Sequence, residues 1–323
     1  MKNPVPGVVL VAVVAIVVSF APIREAKSQS RESPQPVTVA FIGDQGMNGN
    51  ARAVLQLIEA EGADLVLHQG DLDYQDNPTK WDALITDVLG ADFPYLASVG
   101  NHDKLWRPPD GYQDKLQARL DRIDALTCSG DLGVESACTF RGLFFILSGV
   151  GTRIAKDDPD HIAYIRNRLA QADSTWKICS WHKNQRLMQV GGKRDEIGWE
   201  AFKACREGGA IVATGHEHSY SRTHLMDDFE TQSIASTANT LVIEEGRSFA
   251  FVSGLGGKTI RRQSRFDEPW WASVYSANQD ANYGALFCTF FVNGKPDRAR
   301  CYFKDIDGKV PDQFELISKV KGP

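Results

Sequence analysis

Five apolar runs in this 323-residue chain each end at a loop that carries polar side chains. The loops are Gly43-Asp44-Gln45-Gly46, Gly70-Asp71-Leu72-Asp73-Tyr74, Gly100-Asn101-His102-Asp103, Cys179-Ser180-Trp181-His182 and Gly215-His216-Glu217-His218. Glycine, present in four of them, permits close backbone approach and unusual dihedral angles where a chain leaves a sheet. Because sites in open α/β sheets form at the carboxyl edge of the strands, we expect these loops to meet in one place.

The polar residues of these loops combine hard oxygen donors with imidazoles. Seven of them are candidate metal ligands, namely Asp44, Asp71, Tyr74, Asn101, His182, His216 and His218. This mixture of carboxylate, phenol, amide and imidazole suits a pair of first-row metal ions. Two such ions held about 3.5–4 Å apart activate phosphate esters toward attack. The donor set therefore predicts a two-metal hydrolytic site.

The order of apolar and amphipathic segments predicts an α/β fold. Strands and helices alternate over the first two thirds of the chain, which is typical of a parallel sheet. Strands are predicted at 37–42, 64–68, 95–99, 140–148, 177–180 and 210–214, and helices at 51–61, 80–89, 112–123, 158–172 and 196–206.

The last third of the chain is predicted to be richer in strands. Those at 249–252, 285–292 and 299–303 favour a second, more antiparallel sheet. We therefore expect a two-sheet α-β-β-α sandwich, with the two sheets face to face and the helices outside. It would form one domain over residues 37–310, followed by a C-terminal tail at 311–323.

The N-terminus is expected to lie outside this domain. Met1-Lys2 precedes an apolar run over residues 8–21, whose length fits a secretory signal better than a full membrane span. We expect residues 1–28 to be this signal and residues 29–36 to be a disordered leader. These features predict an exported protein, either secreted or periplasmic. An uncleaved membrane anchor over residues 8–21 is the alternative.

The net charge of the chain bears on which binding partners are expected. The formal net charge is −5, and no lysine- or arginine-rich run stands out. Dense binding to nucleic acid or to an anionic membrane surface is therefore not expected. The partner that the donor set predicts is a phosphate-ester substrate, and the oligomeric state is left open.

Six cysteines are typical of an exported protein. Pairing in chain order gives Cys128–Cys138, Cys179–Cys205 and Cys288–Cys301. The last pair rests on a predicted hairpin, since a turn centred between residues 294 and 295 places Cys288 opposite Cys301. Spacing alone leaves the other two pairs open, and six reduced thiols in the core are the alternative.

Taken together, the five loops resemble those of the calcineurin-like metallophosphoesterases, and within them the purple acid phosphatase branch. That branch has the pattern GDxG, GDxxY, GNH(D/E), a strand ending in His, and GHxH, all present here in order between residue 37 and about residue 305. Most of the wider superfamily has Asp-x-His in the first motif, whereas this chain has Asp44-Gln45-Gly46 and resembles the branch in offering Tyr74 instead. The fourth loop departs slightly, with Cys179 where the family usually has valine.

The resemblance implies two unlike metals. The first would be a ferric iron held by Asp44, Tyr74 and His218. The second would be a divalent iron, zinc or manganese held by Asn101, His182 and His216. Asp71 would bridge them, and His102 would contact the phosphate and protonate the leaving group. The donor chemistry supports this division independently, because phenolate and carboxylate suit a trivalent ion while imidazole and amide suit a softer divalent one.

The function expected from these features is that of an acid phosphatase acting on phosphomonoesters by metal-hydroxide attack on phosphorus. A phosphodiesterase acting on nucleotides or other diesters would use the same metals and is the nearest alternative. From other classes, the chain could be a non-catalytic metal-binding surface module or an iron-based redox protein.

Overall fold

The chain from residue 33 onward is built around two large β-sheets. The computed structural model describes residues 1–12, 33–155, 158–265 and 268–322. Its strands are β1 (Val37–Ile42), β2 (Leu65–His68), β3 (Tyr95–Ala97), β4 (Leu126–Asp131), β5 (Glu135–Phe140), β6 (Leu143–Ser148), β7 (Trp176–Ser180), β8 (Ile211–Thr214), β9 (Tyr220–Thr223), β10 (Leu225–Asp228), β11 (Ser233–Ser236), β12 (Thr240–Ile243), β13 (Ala250–Ser253), β14 (Trp271–Tyr275), β15 (Gly284–Phe290), β16 (Arg298–Asp305) and β17 (Asp312–Ser318). Its α-helices are α1 (Gly49–Ala60), α2 (Pro78–Leu89), α3 (Tyr112–Leu120), α4 (Asp158–Gln171) and α5 (Glu200–Glu207).

Each large sheet contains a group of parallel strands that carries predicted ligand loops. The first sheet has the order β12-β17-β16-β15-β1-β2-β3, and β1, β2 and β3 are parallel neighbours. The second has the order β14-β9-β13-β8-β7-β6-β5-β4, with β6, β7, β8 and β13 parallel. β10 and β11 form a separate two-stranded ribbon. All five predicted loops therefore follow strands of these two parallel groups.

Aromatic side chains hold the two sheets face to face. Phe41 of β1 packs edge-on against Phe251 of β13, with ring centroids 5.2 Å apart. Trp176 of β7 contacts Phe290 of β15 in the same way at 5.1 Å. Helices α1, α2 and α3 contact one another and the first sheet, whereas α4 and α5 contact the second. The predicted α-β-β-α sandwich is confirmed.

The predicted division of the chain between the sheets is wrong. The last third does not form a sheet of its own, because β15 pairs antiparallel with β1 and extends the first sheet, while β13 and β14 join the second. The expected tail at 311–323 is also corrected, since β17 pairs with both β16 and β12 and buries Phe314 and Leu316. Apolar periodicity identifies a strand but not its neighbour, so the sequence pattern could not show which sheet each strand joins.

Two further differences are local. The hairpin formed by β4 and β5 was not predicted, because many of its outward residues are polar. The helix expected at 196–206 begins only at Glu200. Asp195 accepts hydrogen bonds from the backbone of Ile197 and Gly198, and Gly198 has φ +67°, so the chain turns before the helix starts.

Three disulfides join the cysteines in chain order. Cys288 and Cys301 are directly opposite each other across β15 and β16, with Cα atoms 4.1 Å apart, as the predicted hairpin requires. Cys128–Cys138 links β4 to β5, and Cys179–Cys205 links β7 to α5. The predicted pairing is confirmed.

The N-terminal segment is described only in part. Residues 1–12 form no helix or strand and are exposed. Most of the apolar run at 8–21 and all of residues 13–32 lie outside the described residues, so the signal and the anchor both stay predictions. Within the described part of the chain, every helix is too short or too polar to cross a membrane.

Candidate metal centre

The five ligand loops meet between the carboxyl ends of the two parallel strand groups. The loops after β1 and β2 are joined by a hydrogen bond from the Asp44 amide to the Gly70 carbonyl, at 3.1 Å. The loops after β7 and β8 are joined by the Gly215 amide and the His182 carbonyl, at 3.2 Å. The structure thus brings together all seven residues that the sequence singled out.

The backbone at this junction is strained. Asp44, Asp71, Tyr74 and His216 have φ values of 56°, 59°, 61° and 69°, in the left-handed region that non-glycine residues rarely adopt. Each such residue costs about 1–3 kcal/mol, and such outliers cluster at functional sites. Four of the seven predicted ligands are therefore held in conformations that a plain turn would not require.

Glycine is required where the loops cross. A Cβ atom on Gly100 would lie 2.1 Å from the Asp71 amide nitrogen. Gly70 has φ +81°, and its Cβ would lie 2.9 Å from the Cβ of His182. These glycines let three different loops touch directly, so that side chains distant in the sequence can share one small volume.

Asp44, Tyr74 and His218 form the first group of side chains, which we call the first cluster. The Tyr74 hydroxyl donates to Asp44 Oδ1 at 2.8 Å and lies 3.1 Å from His218 Nε2. His218 Nε2 lies 3.2 Å from the same Asp44 oxygen. A phenol, a carboxylate and an imidazole thus point at one another.

Asp71, Asn101, His182 and His216 form the second cluster. His182 Nε2 lies 3.2 Å from Asp71 Oδ2, 3.2 Å from Asn101 Oδ1 and 3.0 Å from His216 Nδ1. The carboxylate of Asp71 lies near enough to the first cluster to raise the pKa of Tyr74. The His216 amide of the second cluster donates to Asp44 Oδ2 of the first at 2.8 Å, so the two clusters are in contact.

These distances fit the chemistry of metal ligands. Atoms bound to one ion at about 2.0–2.2 Å lie roughly 2.8–3.4 Å from one another in common geometries. The separations in both clusters fall in that range, and one donor atom each from Asp71, His182 and His216 lies within 4.8 Å of the others. The donor set and its spacing fit two metal ions, one at each cluster.

The outer nitrogen of each imidazole is fixed by a partner. His182 Nδ1 donates to the Gln69 carbonyl at 2.7 Å, and His218 Nδ1 contacts the Thr259 hydroxyl. His216 Nε2 lies 2.6 Å from Glu196, whose other oxygen accepts from Lys183 at 2.7 Å. Such partners fix the tautomer and leave the inner nitrogen with its lone pair. His216 presents Nδ1 inward, whereas His182 and His218 present Nε2.

Asp103 ties two ligand loops together. Its carboxylate accepts hydrogen bonds from the amides of Gly100, Asp71 and Leu72 at 2.6, 3.0 and 2.7 Å. Burial, together with the nearby charge of Asp71, raises the pKa of Asp103 to about 7. Asp103 therefore positions the loops and does not point into the clusters.

Without a metal, the ionisable groups of the clusters shift one another's pKa values. Burial and the carboxylates of Asp44 and Asp71 raise the pKa of Tyr74, so the phenol keeps its proton. Burial would lower the pKa of His182, but Asp71 beside it raises that pKa to about 9. A bound cation would take the place of these protons, because metal ligands bind in their deprotonated forms.

His102 lies at the open side of the first cluster. Its side chain is exposed, and its ring lies 4.8 Å from the ring of Tyr74. Its backbone amide donates to Asp71 Oδ1 at 2.8 Å, which fixes the residue against the clusters. Lys258 places its ammonium 4.5 Å from the centroid of the Tyr74 ring. An imidazole and a cation therefore border the open face.

Sequence reasoning missed the residues that support the clusters. Glu196 was assigned to a helix, and Thr259 follows a glycine-rich run, 254–257, to which no role was assigned. In the structure this run lies beside the first cluster, where the amides of Gly256 and Lys258 donate to the carbonyls of Gly43 and Asp44. Four glycine-flanked ligands were visible as a pattern, but single polar residues on distant loops carry no such signal.

Comparison with known proteins places this architecture among phosphoesterases. The family model for calcineurin-like phosphoesterases matches residues 37–220, which include all seven predicted ligands. A nucleotide pyrophosphatase/phosphodiesterase of Hordeum vulgare is 22% identical over 303 residues, covering 83% of this chain and 76% of the relative. Purple acid phosphatase 18 of Arabidopsis thaliana is 25% identical over 207 residues, covering 58% of this chain and 45% of the relative.

A solved structure gives the same result for the fold. The purple acid phosphatase from yellow lupin (Lupinus luteus) seeds superimposes with a TM-score of 0.65 at 19% identity, over 88% of this chain and 54% of that one. This chain therefore spans about half the length of both purple acid phosphatases and three quarters of the barley protein. The resemblance drawn from the five loops is confirmed.

Proposed function

This chain belongs to the calcineurin-like phosphoesterase family, and from that premise we propose that it is a two-metal phosphoester hydrolase of the purple acid phosphatase type. The observation that carries the proposal is the pair of clusters, each with donor atoms about 3 Å apart, that are joined by the hydrogen bond from the His216 amide to Asp44. A buried arrangement of this kind does little for stability. It brings polar and ionisable side chains together away from water, and it holds the backbone in strained conformations.

The first metal would be held by Asp44, Tyr74 and His218, and the second by Asn101, His182 and His216, with Asp71 between them. We propose ferric iron for the first and divalent iron, zinc or manganese for the second, since the first cluster adds a phenol and a carboxylate to Asp71, whereas the second adds two imidazoles and an amide. When bound, the metals would supply Lewis acidity toward the phosphoryl group and would acidify water.

The remaining groups of the chain act on the substrate. His102 lies on the exposed side of Tyr74, where its imidazole can donate a proton to the departing oxygen. The hydrogen bond from the His102 amide to Asp71 fixes its backbone while leaving the ring free to follow the substrate. Gln69, Glu196 and Thr259 hold the three imidazoles in place, so that the site is formed before substrate arrives.

We propose phosphomonoesters as the substrate class and export as the destination of the chain. Three disulfides support export, because such bonds persist in oxidising compartments. Cleavage of residues 1–28, or their retention as an anchor, is part of the same proposal.

A second candidate is a phosphodiesterase. It is favoured by the barley relative, whose name includes a nucleotide pyrophosphatase and a phosphodiesterase. The two candidates use the same clusters and differ only in the groups attached to phosphorus.

The proposed function is tested by metal analysis together with a substrate panel. We expect two metal ions per chain and faster hydrolysis of phenyl phosphate than of bis(phenyl) phosphate. The reverse preference would replace the monoesterase by the diesterase, and a metal-loaded protein inert on both would contradict catalysis.

The ferric assignment has its own test. A ferric ion bound by Tyr74 gives a visible charge-transfer band, which Tyr74→Phe should abolish, while Tyr283→Phe, at a partly buried tyrosine outside the clusters, should not. A colourless and fully active zinc or manganese enzyme would contradict ferric iron without contradicting hydrolysis.

A further inference from the structure

Two cationic side chains converge on one backbone oxygen at the edge of the second cluster. The Lys193 ammonium donates to the carbonyl oxygen of His216, and the Arg261 guanidinium donates to the same oxygen at 3.3 Å. The two charges therefore lie within about two hydrogen-bond lengths of each other. We call Lys193 and Arg261 the cation pair.

The cation pair is held in place by its own loops. Arg265 donates to the carbonyls of Arg186, Gly191 and Lys193, which fixes the loop that carries Lys193. The Arg261 amide donates to the His218 carbonyl at 2.9 Å, which fixes the other loop against the first cluster. The two cations are thus positioned by backbone contacts and do not meet by chance on mobile side chains.

The cation pair is only partly neutralised. Glu217 is the one carboxylate among the described residues within 4 Å of either cation, with its Oε2 3.9 Å from the Arg261 guanidinium. Glu217 is buried, whereas the Arg261 side chain is 41% exposed. Like charges this close repel each other, and one carboxylate leaves a net positive charge directed at solvent beside the clusters.

We infer that the cation pair binds a second anionic group of the substrate, carried by the leaving group. This inference rests on the proposed function, because it places the phosphoryl group under attack at the metal clusters. The substrate class is then phosphoesters and phosphoanhydrides whose leaving group is itself a phosphate or a carboxylate. Planar guanidinium and ammonium donors are the groups that proteins use to hold such anions.

The reaction balances with water as the only co-reactant. For inorganic diphosphate, one bridging P–O bond breaks and its electron pair stays with the departing phosphate. The water oxygen forms one new P–O bond, and the two protons of water end on the two phosphates that result. The cation pair would stabilise the negative charge that builds on the departing phosphate. His102 would have less to contribute with such a leaving group than with phenolate, since phosphate departs without needing a full proton transfer.

The test compares two substrates in the metal-loaded full chain. The readout is the ratio of kcat/KM for inorganic diphosphate to kcat/KM for phenyl phosphate. We expect Arg261→Gln and Lys193→Gln each to lower this ratio about tenfold, as the loss of one nearby charge predicts. Arg261→Lys, which keeps the charge, should recover most of the loss. Arg262→Gln is the matched control, because Arg262 is exposed on the same loop and its loss changes net charge equally.

A binding measurement separates recognition from chemistry. Methylenediphosphonate, which cannot be hydrolysed, should inhibit phenyl phosphate hydrolysis less strongly in Arg261→Gln, while methylphosphonate should inhibit both proteins alike. An unchanged substrate ratio in both glutamine variants, with thermal unfolding like that of the parent, would overturn the inference while leaving the proposed function intact. A parent protein inert on phenyl phosphate and on diphosphate would instead overturn the proposed function itself.

Discussion

The two ligand clusters differ in what surrounds them. The first cluster is supported mainly by backbone from residues 256–261 and by one neutral hydroxyl, that of Thr259. The second is supported by a carboxylate–lysine pair, because Glu196 contacts both His216 and Lys183. Burial would raise the pKa of Glu196, but these two hydrogen bonds lower it to about 2. Apart from Asp71, the first cluster gains negative charge from its own ligands Asp44 and Tyr74, and the second gains it from the outer carboxylate of Glu196.

This difference bears on metal preference. A ligand set with its own phenolate and carboxylate attracts a small, highly charged ion. The two neutral imidazoles and the amide of the second cluster attract such an ion less strongly. The outer carboxylate of Glu196 makes His216 a stronger donor without adding a charged ligand. The different surroundings therefore favour different metals at the two clusters. Substitutions outside the clusters should weaken metal binding at one cluster more than at the other.

The largest effect is expected where the clusters join. Asp71→Asn removes the one charge between them and should lower kcat/KM about a thousandfold or more, with loss of both metals by elemental analysis. Asp73→Asn is the matched control, since this buried carboxylate on the same loop accepts hydrogen bonds from the amides of residues 75–77. Retention of one metal in Asp71→Asn would mean that the clusters are independent.

Glu196→Ala should weaken the second cluster selectively. Loss of an outer carboxylate typically lowers metal affinity by about 10–100-fold, so the divalent ion should dissociate first in a chelator titration. Glu200→Ala is the control, because Glu200 lies four residues on and pairs with exposed Arg166. Equal loss of both metals would remove the distinction between the clusters.

Thr259→Val tests the first cluster in the same way and should have a smaller effect. The hydroxyl carries no charge, and neighbouring backbone contacts continue to hold the loop. We expect less than about a tenfold loss of affinity, confined to the first metal. If Thr259→Val were as harmful as Glu196→Ala, charge in the surroundings would not be what separates the clusters.

The smallest effect at neutral pH is expected at His68, which both clusters share as a neighbour. Its ring is buried, and neither nitrogen has a hydrogen-bond partner among the described residues. Burial lowers the pKa of His68 to about 3. The unfolded chain takes up this proton near pH 6.5 and the folded chain does not, so stability falls as pH drops from about 6.5 toward 3.

His68→Met removes this titration at nearly constant volume. Urea unfolding of the parent should lose about 1.4 kcal/mol per pH unit more than the variant over that range. At pH 7 the two should have similar free energies of unfolding. Parallel pH profiles would show that His68 gains its proton without unfolding.

The sequence predicted the ligands better than it predicted their surroundings. Asp44, Asp71 and His216 could be found because each follows an apolar strand and a glycine, and this order can be read directly from the sequence. Glu196 and Arg261 act through loops whose positions depend on the whole sandwich. The helix expected to begin at residue 196 shows the limit, since a left-handed Gly198 reversed a plausible helical pattern.

The fold was predictable to a similar depth. The strand β1 was found at its observed boundaries, because a continuous apolar run bounded by polar residues has few other interpretations. Its pairing with β15 was not found, because partner choice across more than two hundred residues leaves no local trace. The hairpin carrying Cys288 and Cys301 is an exception, since a short turn fixes its register directly.

The pairing of β1 with β15 affects how the protein can be made. Once residues 37–220 have been synthesised, all seven predicted ligands are present. The edge of β1 that later pairs with β15 is still unpaired at that stage. An exposed central strand of this kind is a template for pairing between chains. Folding must wait for contacts of long sequence separation, which is intrinsically slow. A truncated gene ending near residue 220 should therefore yield insoluble protein, although every ligand is encoded.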